Sequence, residues 1–222
     1  MTDWSFTYES LMPETPKWRR RKEARPADIC AAALALFAEK GFAGARIEEI
    51  ARRAGLSKGA VYLYFPTKEA LFRAVVRDAV APNIEAIRQS VLASQLPFAD
   101  LVRMLLPRVA AIITTVPLGA VLKMVVGESR NFPELAKVWH DDVVLKAVGI
   151  LSGAIEQAQA RGEVRPGDPR IHAFSLIGPM LLGVLWRETF TPVGAAEVDL
   201  PTIARQHAET VLGGLLAAEN ER

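Results

Sequence analysis

Cysteine occurs once among the 222 residues, as Cys30, and histidine three times, as His140, His172 and His207. A single thiol excludes an intrachain disulfide framework and fits a reducing compartment. No basic-plus-apolar leader opens the chain, and no uninterrupted apolar run is long enough to span a bilayer. The expectation is a cytoplasmic protein with no membrane partner. Strand-period alternation, internal repeats and low-complexity tracts are also missing. So are a phosphate-binding G-x-x-x-x-G-K loop, a G-x-G-x-x-G fingerprint and a G-x-S-x-G elbow. His140-Asp141-Asp142 is the one local His/acid cluster, and adjacent helical positions do not make a ready metal site. Neither an enzyme nor a cofactor is expected.

Half of the residues are hydrophobic, so extensive disorder is excluded. The net charge is only +2 but unevenly spread. Residues 17–77 carry 14 Lys/Arg against 6 Asp/Glu, and residues 78–222 carry 13 against 16. A basic N-terminal unit on a mildly acidic remainder is the pattern of a protein that meets nucleic acid at one end.

The basic unit contains the most informative stretch, RIEEIARRAGLSKGAVYLYFPTK, residues 46–68. Ile47, Ile50, Ala51 and Ala54 form one apolar helical face. Gly55 can take the positive φ that ends the helix, and Leu56 can cover the turn. Ser57 can N-cap a second helix, with Val61 and Phe65 inside and Pro66 as its stop. Helix, glycine turn and helix of this length predict a helix-turn-helix whose second helix can enter the major groove. Ser57, Lys58 and Tyr64 can reach phosphates. Gly59 and Ala60 are small enough for close approach. Tyr62 and Leu63 can meet base edges and the thymine methyl. Arg46 and Lys68 flank this surface near the DNA backbone. A short helical hairpin in a core is the bland alternative.

Elsewhere the periodicity is helical throughout, which predicts an all-α chain. A first helix is expected over residues 26–40 and a fourth from Lys68, kinked or ended by Pro82. Further helices are expected over residues 84–96, 98–115, 118–130, 134–161, 168–190 and 200–216. The expected division is an N-terminal arm (1–22), a helix-turn-helix unit (23–68) and a larger C-terminal body (69–222). The arm's run KWRRRKEAR is either solvated or tracks phosphates. Met104, Met124, Phe132, Trp139, Phe174, Met180 and Trp186 could line a ligand pocket, though such residues at helical spacing also make plain core. Arg103 and Arg130 could meet an anionic ligand, or pair on the surface. Residues 171–190 are apolar around most of the helix. With the face of Ile203, Val211, Leu212, Leu215 and Leu216 they suggest a subunit interface.

From ICAAALALFAEKGFAGARIEEIARRAG through LSKGAVYLYFPTKEALF, about fifty residues, the sequence resembles the TetR family of bacterial transcriptional regulators. GESRNFPEL, ARGEVRPGDPR and LWRETF resemble its regulatory domain more loosely. One departure is the pair Ala45-Arg46, where the family usually has Thr or Ser ahead of the first motif helix. Glu48 and Glu49 can partly compensate through the helix dipole. The resemblance implies a homodimer that binds double-stranded DNA at an inverted-repeat operator. It also implies a small apolar or amphipathic effector bound between helices of the C-terminal body. A helical enzyme or carrier with nonspecific nucleic-acid contacts is the rival reading.

Overall fold

The computed structural model describes residues 17–115 and 118–217, with side chains from residue 26 onward. The arm expected over residues 1–22 lies outside this range up to residue 16. From Lys17 the backbone is already helical. Ten α-helices follow: α1 (Lys17–Gly44), α2 (Ile47–Arg53), α3 (Lys58–Tyr64), α4 (Lys68–Leu92), α5 (Phe98–Thr115), α6 (Leu118–Glu128), α7 (Pro133–Trp139), α8 (Leu145–Ala160), α9 (Pro169–Thr189) and α10 (Leu200–Leu215). The chain is all-α. Among the described residues, β pairing is confined to one bridge between Val164 and Leu216.

Three helices depart from the sequence expectation. α1 starts nine residues before Pro26; its regular helix ends at Gly41 as expected, where φ is 72° and ψ 177°, and a short further turn runs to Gly44. α4 continues through Pro82 to Leu92, merging two expected helices. The proline ring is exposed, and the Asp78 carbonyl loses the helical donor that a proline cannot supply. The next side chain adds a bond, Asn83 Nδ2 donating to the Ala79 carbonyl at 3.1 Å. The third departure splits the helix expected over residues 134–161. A π turn, His140–Val144, separates α7 from α8. The apolar stripe changes partner there: Leu135 and Val138 pack toward the N-terminal unit, whereas Val148, Ile155 and Ala158 join the body.

Two large cores result. The first gathers Phe37, Phe42, Ile50 and Val61 from α1–α3 with Leu71, Phe72, Val75 and Val76 of α4. The Phe37, Phe42 and Phe72 rings lie 5.5–5.9 Å apart. This core does not stop at the end of the helix-turn-helix, because Val121, Met124 and Val125 of α6 and Leu135 and Val138 of α7 belong to it. The second core lies between α5, α8, α9 and α10, around Leu106, Ile155, Leu176 and Leu212.

Cys30 is 5% exposed on α1. Burial, followed by the charge and hydrogen bond of Asp78, pushes its thiol up to about 12, against a smaller opposing effect of Arg77. A thiol kept protonated and covered is inert. Native protein at pH 8 should therefore leave Cys30 unmodified by a thiol-specific reagent, and denatured protein should react fully. Rapid native labelling would contradict this burial.

Candidate nucleic-acid interface and effector cavity

The helix-turn-helix is built by local chemistry. Gly55 takes φ +67° after α2, and the amide of Leu56 donates back to Ala51 O at 2.8 Å. Ser57 caps α3, its hydroxyl accepting from the Ala60 amide at 3.2 Å. Thr67 does the same for α4 through Ala70 N at 3.0 Å. α2 has no such cap: Arg46 is extended and makes no side-chain cap bond, while Ala45 is buried in the core. Glu48 and Glu49 occupy its first turn, where their charge suits the helix dipole.

The outer face of α3 presents Lys58, Gly59, Tyr62 and Leu63 to solvent, with Leu63 86% exposed. A methyl added at Gly59 would meet nothing within 4 Å, so packing within the chain does not require glycine there. Ala60 is half-buried, and Tyr64 leans onto the first core. Arg46 stands exposed at the start of α2. Lys58 is not free: its ammonium pairs with Glu48 at 2.5 Å and lies 5.9 Å from the Tyr62 ring centre. Phosphate contact by Lys58 would have to replace that exposed, weak pair. Arg53 holds Glu39 through two bonds of 2.7 and 2.6 Å, bracing α2 against α1.

Lys68 is placed differently from the expectation. Its ammonium donates to the Phe42 carbonyl and sits 4.5 Å from the Phe42 ring centre, within the turn between α1 and α2. Burial lowers its pKa, opposed by the charges of Glu128 and Glu69. Glu128, at the end of α6, closes the same turn. One carboxylate oxygen accepts from Phe42 N at 2.8 Å, and the other from Ala43 N at 2.7 Å. Gly41 has the positive φ that favours glycine, and a Cβ there would lie 2.3 Å from Glu128 Oε1 and displace that carboxylate. Glu128 carries no local sequence signal for this role, because its partners lie more than eighty residues away. Replacing Glu128 by Ala would leave the part-buried Phe42 amide without its acceptor and the exposed Ala43 amide to water, at a cost of about 1–3 kcal/mol. The expected result is a lower denaturation midpoint together with weaker operator binding. An unchanged midpoint would show that the clamp is not formed.

The body holds a partly open cavity of about 200 Å³. Val80, Asn83, Ile84 and Ile87 of α4 form one wall. Leu105, Val109 and Ile112 of α5 and Leu122 of α6 form another. Trp139, the π-turn residue Val143 and α8 face them, with Met180 and Val184 of α9 closing the end. Of the expected pocket residues, Trp139 and Met180 lie on this wall. Four do not. Met104 is exposed on α5, Phe174 is exposed on α9, and Met124 is buried in the first core. Phe132 meets the Phe42 ring at 5.0 Å. Trp186 also lies elsewhere, its ring 5.2 Å from Phe190 and its indole nitrogen donating to Ala196 O at 3.0 Å. Arg103 pairs on the surface with Glu209 at 2.7 Å and Asp100 at 3.2 Å. The expected cluster at His140 falls in the π turn, where His140 Nδ1 lies 2.9 Å from Asp141 Oδ1. Among the described residues no group of His, Cys, Asp or Glu could hold a metal ion, and no single helix is long and apolar enough to cross a membrane.

Comparison with known proteins agrees with this arrangement. Residues 29–75 match the model of bacterial regulatory proteins of the tetR family. Residues 98–211, just over half of the chain, match the tetracyclin repressor-like C-terminal domain. The HTH-type transcriptional regulator RutR of Escherichia coli K12 is 48% identical over 70 residues, which are 32% of this chain and 33% of RutR. The alignment thus spans about a third of that relative's length. A TetR-family regulator from Mesorhizobium loti superposes with a TM-score of 0.73 at 24% identity, over 89% of this chain and 99% of that one. The regulator FadR from Bacillus subtilis, solved with stearoyl-CoA, gives 0.71 at 19% identity, over 85% and 98%. A capped helix-turn-helix, a helical body with an internal cavity and both family matches lead to one conclusion: the chain belongs to the TetR family of bacterial transcriptional regulators.

Proposed function

We propose that this regulator is a cytoplasmic homodimer that represses transcription from an inverted-repeat operator and is released by a small apolar or amphipathic effector. Residues 23–68 act as the reading head, and residues 69–222 bind the effector and dimerise. The observation that carries this reading is the course of α4. Its first half, Leu71 to Val76, is buried with the reading head, and its second half, Val80 to Ile87, walls the cavity. One uninterrupted helix therefore touches both sites. A ligand that favours a shifted α4 changes the tilt or spacing of two recognition helices, and the duplex fixes that spacing.

The exposed face of α9 supports the dimer. Ile171, Phe174 and Leu182 are all exposed there, Phe190 is exposed just past its end, and a methyl at Gly178 would meet nothing within 4 Å of its own chain. Apolar faces of this extent mark association surfaces. The test is selection of bound sequences from a random DNA pool, then operator affinity with and without a cavity ligand at one salt concentration. A coupling of about 1–3 kcal/mol gives a change of roughly 5–150-fold, and operator DNA must weaken ligand binding by the same factor. A pool that yields no preferred sequence would overturn the reading.

A further inference from the structure

The cavity's lining contains no ionisable side chain. Asn83 is its one amide, and the nitrogen of that amide is already bound to the Ala79 carbonyl. The remaining wall is aliphatic carbon, the Met180 thioether and the Trp139 ring. We propose that the cavity takes a neutral, hydrocarbon-like ligand of one-ring size and rejects its carboxylate counterpart, because its wall offers no counter-charge. The proposal rests on the cavity being the effector site and narrows the class of effector.

The chemistry of the wall and the size of the space set the class. An ion moved from water into this wall finds no counter-charge and at most one N–H of Asn83, so most of its lost hydration is not replaced. A carboxylate could enter only after taking up a proton, which few molecules do at neutral pH. An apolar cavity of roughly 150 Å³ stays dry and accepts benzene. The present cavity, at about 200 Å³, suits a benzene ring with a short alkyl chain. Each methylene removed from water strengthens binding about fourfold, until the space is full.

The experiment uses the full chain and n-alkylbenzenes from toluene to hexylbenzene, with benzoate and 4-propylbenzoate as charged counterparts, by calorimetric titration at pH 7. The expected result is affinity that climbs about fourfold per methylene and then levels or falls, with the benzoates at least about 100-fold weaker than the matched hydrocarbon. Ala147 of α8 faces the cavity, and Ala147→Phe should move the cut-off to shorter chains. A second variant, Ala147→Val, takes less space and guards against a folding defect, with a smaller shift in the same direction. Benzoates binding as tightly as the hydrocarbons, no binding by any hydrocarbon, or a cut-off indifferent to both variants would each overturn the proposal. Operator affinity is read separately. Hydrocarbon binding that leaves it unchanged would sink effector control while the ligand class stands.

Discussion

Leu63→Glu should abolish specific operator binding while leaving the protein folded. Leu63 is 86% exposed at the outer end of α3, so its side chain contributes little to either core. Leucine and glutamate have similar helix propensities, so α3 itself should be undisturbed. In the complex, the apolar tip suited to a thymine methyl becomes a carboxylate facing phosphates. Loss of the contact and the new repulsion together should weaken binding by at least about 100-fold, since a base-reading contact alone carries about 1–3 kcal/mol. Milder variants separate the roles on the same face. Lys58→Ala should weaken all sequences alike and reduce the salt slope by about one. Tyr62→Ala should alter base preference. Anisotropy titrations of the selected operator at fixed salt, beside a thermal melt, decide the matter. Wild-type affinity in Leu63→Glu would remove α3 from the reading surface.

The second large effect is expected at α9. Leu182 is 65% exposed midway along its apolar face. Leu182→Glu places a charge where a second copy would lie, and burying it there without a partner is prohibitive. Sedimentation at micromolar concentration should show a dimer for the wild type and a monomer for the variant. Operator affinity should fall steeply as well, because two-fold symmetry supplies both half-sites at once, about 34–36 Å apart or a multiple of one DNA turn. The substitution must not be made at Leu212, although the sequence places it in the expected interface. Leu212 is 1% exposed within its own subunit, so a charge there would unfold the body. A monomeric wild type would end the dimer reading.

The helix-turn-helix was legible because its signals are local. Gly55, Ser57, Pro66 and Thr67 mark boundaries within a few residues of the groups they satisfy, and the structure forms the caps at Ser57 and Thr67. The cavity was not legible in this way. Six helices and the π turn contribute to its wall, mostly Ile, Leu and Val, which have the periodicity of any buried stripe. Large, adaptable side chains drew attention instead. Topology sent Met124 and Phe132 to the first core and left Met104 and Phe174 outside. Pro82 misled for a related reason. Its cost depends on whether the freed carbonyl meets water, which a linear pattern does not encode.

The packing of α6 and α7 against the reading head bears on how such proteins can be recombined. A chimera cut after Lys68 would carry away Phe42, its ring partners Phe37 and Phe72 only in part, and the two amides of the α1–α2 turn. It would leave behind Glu128, which accepts from those amides, and Phe132, which packs on the Phe42 ring. Val121, Met124 and Leu135 would face a foreign surface. The transferable unit is therefore discontinuous in sequence: the helices up to the middle of α4, together with residues 118–138. A donor head grafted without that second segment arrives with an open seam at its turn, whatever its identity to the host in the helix-turn-helix.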